Sequence, residues 1–386
     1  MELSTLRAHF PHTERLAYLD HAATGPLSGP VIEAVHRFLD ERHRLNPNNY
    51  ADAAPVLERG RARLGRLLGC APERVAYVPS TSHGLNVLAL GYPWRPGDRV
   101  AVPACEFPAN RQPWLGVRER YGVEVDVVPS EGGVVTVEAV EAALRPETRV
   151  LAVSWVQFLS GARCDLAALS ALCRSRGVVL AVDAIQGLGA LRLDVVRTGV
   201  DFLSSGGQKW MLSMQGSAFV YVTEALQERL RPVRGWLNGP VDWDDFGAVT
   251  DAFHPDATRY HVGTPATAAL VALDAALGLH FDTGPAWVEE RVLGNAARLA
   301  EGLARLGLAR FGSDDPAHAS GIVTVEHPEP EALHAHLLDC DVHVSLRDRK
   351  LRFAAHAYNS DDELDAALDA VATFGTLTLP SGQTVA

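Results

Sequence analysis

The chain has 386 residues, 47% of them hydrophobic and 21% charged, with a formal net charge of −12 at pH 7. That length exceeds one ordinary core and predicts two domains, and the acidic balance argues against a nucleic-acid or anionic-membrane surface. No apolar run approaches the roughly 18–20 residues that span a bilayer, and the opening MELSTLRAHFPHTERL lacks the basic-then-apolar order of a secretory signal.

From about residue 70 to 225, short apolar runs alternate with helical patterns. RVAYVP (74–79) reads as a strand, and HGLNVLALGY (83–92) as a helix opened by the capping-type Ser80, Thr81 and Ser82. RVAVPA (99–104) is a strand and PANRQPWLGVRERYG begins a helix. VEVDVVP, VEAVEAALR and RVLAVSWV (149–156) continue the alternation. DLAALSALCRSRG (165–177) predicts a helix closed by Gly177, and VVLAVDA (178–184) the next strand. Apolar strands alternating with helices predict an α/β fold with a parallel sheet covered on both faces.

After residue 225 the texture changes. Residues 231–265 are rich in Trp, Gly, Pro and Asp, with no clear period, and loops of that length are usually functional. Two long helical patterns follow, TPATAALVALDAALGLHF and PAWVEERVLGNAARLAEGLARLG. Then come a strand (GIVTVEH), a helix (PEALHAHLLDC), a strand pair around VHVSLRDRKLRFAA and a final helix (DDELDAALDAVATF), together a smaller α+β unit. The five cysteines (Cys70, Cys105, Cys164, Cys173 and Cys340) are scattered and include no CxxC pair. They suit a reducing cytoplasm and offer neither a disulfide framework nor a metal site.

Ligands of an open parallel sheet bind at the carboxyl ends of its strands. Asp183 closes VVLAVD, a run apolar enough to be buried, and a buried carboxylate is costly unless a cation or donor meets it. By itself it also suits a helix cap or a turn. Lys209, in SSGGQKWMLSMQG, is one of two lysines among 35 basic residues; the rest are arginine. A guanidinium replaces a lysine wherever charge alone is needed, but it stays protonated and cannot act as an amine nucleophile. A partly desolvated lysine can form a Schiff base with a carbonyl. A lysine of that kind, a strand-end carboxylate and a phosphate cradle are what pyridoxal phosphate requires. PSTSHGLN (79–86), small hydroxyl residues entering a helix N-terminus, fits the cradle, as it would also fit an ordinary cap.

With these residues in place the chain resembles the fold-type I pyridoxal phosphate enzymes, in particular the class V aminotransferase and cysteine desulfurase group and its isopenicillin epimerase-like branch. The resemblance rests on YLDHAATG (18–25), STSHGLN (80–86), CEFPANRQPW (105–114), VDAIQGLGA (182–190), SSGGQKWM (204–211), RYHVGTP (259–265) and LRFAAHAYNSDDEL (351–364), in this order. It implies the α/β fold of the pyridoxal phosphate-dependent transferases, with a large cofactor domain over 20–265 built on a mostly parallel sheet and a small α+β domain from 1–19 and 266–386. It implies Lys209 as the Schiff-base lysine and Asp183 as partner of the pyridine nitrogen. Gln186 would donate to the ring's phenolic oxygen. Ser82 and His83 would bind phosphate with help from Gln208, and Phe107 would stack on the ring. Thr264 would reach the phosphate of a neighbouring subunit in a homodimer, and Arg352 would clamp the substrate α-carboxylate.

The departures also inform. Gln208 stands where many relatives carry histidine, and Phe158 where many carry asparagine, leaving Gln186 alone or with Gln157 at the phenolic oxygen. Desulfurases place a nucleophilic cysteine on a mobile loop shortly before the carboxylate arginine; here VHVSLRDRKLR reads as a tight turn without cysteine. Cys340, at a helix end, reads as a small apolar residue. The resemblance therefore implies chemistry at the α-carbon of an amino acid, with an aminotransferase first because it needs only Lys209 and a carboxylate clamp. A C–S or other β-lyase, an epimerase and a non-catalytic binding module are the alternatives. Side-chain selection is assigned to Arg111, His21, Trp236 or the 231–262 loop, and a second carboxylate to either Arg111 or Arg347.

Overall fold

The computed structural model describes residues 1–245 and 247–378. Seven strands form the central sheet: β1 (Val75–Val78), β2 (Arg99–Pro103), β3 (Glu124–Val128), β4 (Thr148–Ser154), β5 (Val179–Asp183), β6 (Phe202–Gly206) and β7 (Ala218–Val222). Their order is β1-β7-β6-β5-β4-β2-β3. β7 runs antiparallel to β1 and β6, and the remaining pairs are parallel. The sheet is mostly parallel, as expected, and β7 is antiparallel for a reason of reach. A parallel crossover needs about a dozen residues or more, and the 207–217 connection, which carries Lys209, is too short for one.

Alternation along the strands sends side chains into two cores. Leu151, Val153, Leu180, Val182 and Leu203 pack on one face of the sheet. Val150, Ala152, Val179, Ala181 and Phe202 pack on the other. Burial of each such side chain contributes about 1.5–3 kcal/mol, so the strands that carry the site are the best anchored in the molecule.

Helices cover both faces. Residues before 70, for which the sequence signal gives no elements, form α1 (Gly29–Asp40) and α2 (Tyr50–Leu68). α2 accommodates Pro55 in its interior, against the usual breaker rule, and ends at Gly69 in the left-handed conformation, φ 69°. α3 (Thr81–Gly91) follows β1; Ser80 caps it by accepting a hydrogen bond from the His83 N–H at 3.1 Å. α3 lies directly against β6, where a Cβ on Gly84 would fall 2.1 Å from Ser204 Oγ. Only glycine lets the helix start come this close to the strand ends. α4 (Gln112–Tyr121) and α5 (Leu166–Arg176) complete the alternation, α5 capped by Asp165 and closed by Gly177.

Among the described residues of the 231–265 stretch, a single helical turn at Ala257–Tyr260 is the one regular element. α6 (Thr267–Thr283) then packs on α1 and α2, and its Leu270, Leu273 and Leu277 join the core that holds Val182. α7 (Pro285–Arg305), α8 (Pro330–Asp339) and α9 (Asp361–Thr378) surround a second sheet. That sheet contains β8 (Arg310–Phe311), β9 (Ile322–Glu326), β10 (Ser345–Arg347) and β11 (Lys350–Ala354), in the order β10-β11-β9-β8 and antiparallel throughout. Its core contains Leu299, Leu303, Val323, Leu351 and Phe353, and Leu19 from the start of the chain joins it. Ala17–Tyr18 pair in parallel with Val342–His343, and Asp20 bridges to Ala354. β10 and β11 are joined by Asp348 and Arg349, both at positive φ (47° and 55°), a two-residue hairpin turn. Among the described residues, no helix is long and apolar enough to cross a membrane.

Candidate active site

The carboxyl ends of β1, β2, β4, β5 and β6 converge on a cavity of about 430 Å³. Lys209, Asp183, Gln186, Gln208, Ser82, Phe107 and Arg352 all line it, together with Ser80, Thr81, Phe158 and Arg347. Side chains from residues 22 to 352 thus meet at the sheet edge where an α/β fold presents ligands.

Asp183 ends β5 and is 3% exposed; its Oδ1 accepts the Ile185 N–H at 3.0 Å. Burial raises its carboxyl above the ordinary range, the Ile185 N–H opposes the rise, and the nearby Glu106 adds to it. Burial lowers the Lys209 amine, Asp183 pulls it back up, and Arg352 pushes it further down. The lysine is held by a close backbone approach. Gly25 N donates to Gln208 O at 2.8 Å, and a Cβ on Gly25 would lie 2.2 Å from Lys209 O. The turn is completed by Leu212, whose φ of 57° is unusual for a side-chain-bearing residue.

The helix start is a ready cradle for an anion. The first-turn N–H groups of Thr81 and Ser82 have no intrahelical partner, and Thr81 Oγ1 is buried without a hydrogen bond. His83 falls on the other side of the helix. It lines a separate pocket of about 150 Å³ with Tyr77 and Thr264, so neither His83 nor Thr264 lines the Lys209 cavity. Phe107, 44% exposed, faces Lys209 Nζ at 5.8 Å from its ring centroid and meets Phe158 edge-on at 5.2 Å.

Arg352 is 3% exposed. Its Nη1 donates to Phe158 O at 2.8 Å, and its Nη2 to Ser345 Oγ at 3.2 Å and Asp20 Oδ1 at 3.5 Å. Its Nε is buried with no partner. Such a donor is costly unless a ligand meets it. Gln186 Nε2 donates to Ala22 O at 2.9 Å and its Oε1 accepts from Trp210 Nε1 at 3.0 Å, leaving one amide hydrogen for a ligand.

Other expected contributors lie elsewhere. Gln157 turns away from the cavity and donates to Glu106 at 2.9 Å. Arg111 is exposed and Trp236 lines a different surface, while His21 is fully buried with both ring nitrogens bonded to Ala354 O and Tyr358 OH. Cys340 is exposed at the end of α8 rather than packed as a small apolar residue, because the helix turns its terminus to solvent.

The residues 17–347 match the family model described as Aminotransferase class-V. The chain belongs to this family. An uncharacterised aminotransferase of Bacillus subtilis, YcbU, is 28% identical over 370 residues, covering 95% of this chain and 96% of that protein. A probable cysteine desulfurase of Pseudomonas aeruginosa is 30% identical, over 84% of this chain and 83% of its own length. Among solved structures, a C-DES mutant with glycine covalently linked to the PLP cofactor superposes with a TM-score of 0.89 at 21% identity, covering 95% of this chain and 98% of that one. The class V fold, a pyridoxal phosphate-dependent transferase fold with a mostly parallel sheet, is thereby that of this chain.

Two groups escaped the sequence reading. Glu106 is buried and accepts hydrogen bonds from Ser154 N, Ser154 Oγ, Gln157 and Asn110, placing a second carboxylate near Asp183. Burial raises it, and those four donors oppose the rise. Its signal was a lone acid in the otherwise uncharged PACEFPAN. Thr81 is not singled out among the cap or cradle hydroxyls of PSTSHGLN; the capping oxygen is that of Ser80, and the threonine hydroxyl has no partner.

Proposed function

We propose that this class V enzyme is an aminotransferase acting at the α-carbon of an amino acid. One observation carries the reading: a buried strand-end carboxylate, a lysine with a lowered amine and a buried arginine with an unpartnered Nε line a single cavity. The cofactor is pyridoxal 5′-phosphate, and the residues present fit it. Lys209 would hold its aldehyde, Asp183 its ring nitrogen, Gln186 its phenolic oxygen, Phe107 its ring face, and Thr81, Ser82 and Gln208 its phosphate. When bound, the group supplies a protonated ring that spreads negative charge from the α-carbon.

The chain's own residues do the rest. Arg352 receives the substrate carboxylate with its guanidinium held in place by Phe158 O, Ser345 and Asp20. Lys209 stands as the base that takes the α-proton, with an amine brought by burial toward its working range. Asp183 keeps its partner protonated. The tight Asp348–Arg349 turn occupies the place where desulfurases extend a loop, and no cysteine lies between Val342 and Arg352. This argues against a persulfide formed on an enzyme cysteine, and transamination comes first because it needs only Lys209 and the carboxylate clamp. The lyase remains the second reading because the Pseudomonas relative is named for it.

The proposal extends to a cytoplasmic homodimer of two-domain subunits, 20–265 and 1–19 with 266–386, in which Thr264 and His83 serve the neighbouring site. Their shared pocket apart from Lys209 supports that arrangement.

The purified protein should absorb visible light and lose the band in Lys209→Ala. Amino acids added without a keto acid should convert the bound cofactor to its amine form. Release of sulfide, pyruvate or ammonia instead would establish the lyase, and scrambled α-carbon chirality the epimerase.

A further inference from the structure

The cavity contains a second guanidinium that the proposed reaction does not use. Arg347 lines it beside Arg352, and its side chain donates only to the neighbouring Leu346 O at 3.1 Å. The other basic residues of the same hairpin all have acidic partners. Arg349 pairs with Glu331 at 2.8 Å, Lys350 with Glu326 and Asp348, and Arg352 with Asp20. Among the described residues no carboxylate lies within ion-pair distance of Arg347.

Register fixes how the two arginines relate. Ser345 opposes Arg352 and Arg347 opposes Lys350, so Ser345, Arg347 and Arg352 share one face of the β10–β11 pair. Arg347 and Arg352 are diagonal neighbours on that face. Such positions lie about 7–8 Å apart, within reach of long side chains converging on one ligand. The Arg347 charge also acts on both Lys209 and Arg352, lowering each. The two guanidiniums differ in setting: Arg352 is buried and pinned, while Arg347 is exposed at the cavity mouth. One α-carboxylate satisfies Arg352. A substrate reaching Arg347 needs a second anion on its side chain.

We propose that the substrate is an amino acid with an acidic side chain, its α-carboxylate on Arg352 and its side-chain carboxylate on Arg347. This rests on the cofactor and carboxylate-clamp reading above, and names the substrate class for that site. A planar fork matches a carboxylate by two parallel hydrogen bonds, so selection falls on a short dicarboxylic amino acid over a neutral one of equal length.

The test uses the holoenzyme and two inert acids, succinate and butyrate, titrated by calorimetry. Succinate is expected to bind about tenfold or more tightly than butyrate, the scale of one charge-assisted hydrogen bond. Arg347→Ala should remove that preference and leave butyrate within about twofold, whereas Arg352→Ala should weaken both acids. Arg347→Lys, which keeps charge but not the fork, should retain part of the preference. With L-aspartate or L-glutamate against L-alanine, loss of the visible band should show the same ranking in kcat/KM. Equal affinity for the two acids in the parent protein overturns the proposal, as does a preference that survives Arg347→Ala. A fall in cofactor affinity in that variant also overturns it, by assigning the guanidinium to the phosphate. A colourless protein that takes up no pyridoxal phosphate defeats the cofactor reading instead, and the two failures are told apart by colour alone.

Discussion

Asp183 and Lys209 stand at the ends of strands buried on both faces, whereas Arg352 and Arg347 stand on a four-stranded sheet whose edge strand is three residues long. The first pair is fixed by the large core. In the second pair Arg352 is fixed by hydrogen bonds to Phe158 O, Ser345 and Asp20, and Arg347 is set by its place beside a two-residue turn. The cofactor side of the cavity therefore depends on packing and the substrate side on polar contacts and register. Substitutions on the two sides should fail in different ways.

The sharpest break is at Lys209. Lys209→Arg keeps the charge and loses the usable amine, and should lower kcat by about 10²–10⁴-fold with no visible band. Rapid-quench kinetics and an absorbance spectrum check both. On the substrate side, Arg352→Lys should raise KM by roughly ten- to a hundredfold, the range of hydrogen bonds to a charged group, while leaving the spectrum of the resting protein intact. If instead the resting spectrum collapses with KM unchanged, the division between the two sides is wrong.

Acid should expose the packing that backs the first side. His356 donates from Nε2 to Trp210 O at 3.0 Å, next to Lys209, and its Nδ1 has no partner. Burial lowers His356 to about 4, and His280 likewise to about 4. Unfolded histidine takes a proton near pH 6.5, so above that value neither state is charged and stability is full. As pH falls from 6.5 toward 4 only the unfolded state gains the proton, and each site costs about 1.4 kcal/mol per pH unit. The stability obtained from denaturant melts should therefore fall across this window, and His356→Gln should flatten its dependence on pH by about one site's share. The smallest effect belongs to the exposed turn: Arg349→Ala breaks a surface pair worth about 0–1 kcal/mol and should leave KM untouched, which makes it the control for Arg347.

The same contrast explains what could be read from the sequence. The cofactor side was legible because a strand buried on both faces must be an apolar run, and a carboxylate ending one, as Asp183 does, is conspicuous. Lys209 stood out because every other basic residue but one is arginine. α1 and α2 were missed; Pro55 contradicts the helical rule and tertiary packing against α6 overrides it. On the substrate side the tight turn was legible, but the pairing of Ser345 with Arg352 was not, since short strands carry too little alternation to fix register. Which oxygen caps α3, and hence that Thr81 is free, depends on a rotamer no pattern encodes. Glu106 required the fold as well, because three of its four donors come from Ser154 and Gln157, 48 and 51 residues away in sequence.

The parallel pairing of Ala17–Tyr18 with Val342–His343 has a consequence for synthesis. Asp20 and Ala22, made first, wait for Ser345 and Arg352, made almost last, before the cavity closes around its arginine. A nascent chain at residue 300 contains every strand of the large sheet and Lys209, yet it has no carboxylate clamp and lacks Ile322, Ala354 and Ala357 of the large core. Contacts of such separation are slow to form, so the ordering of the cavity waits for the last-made strand even though its lysine is made far earlier.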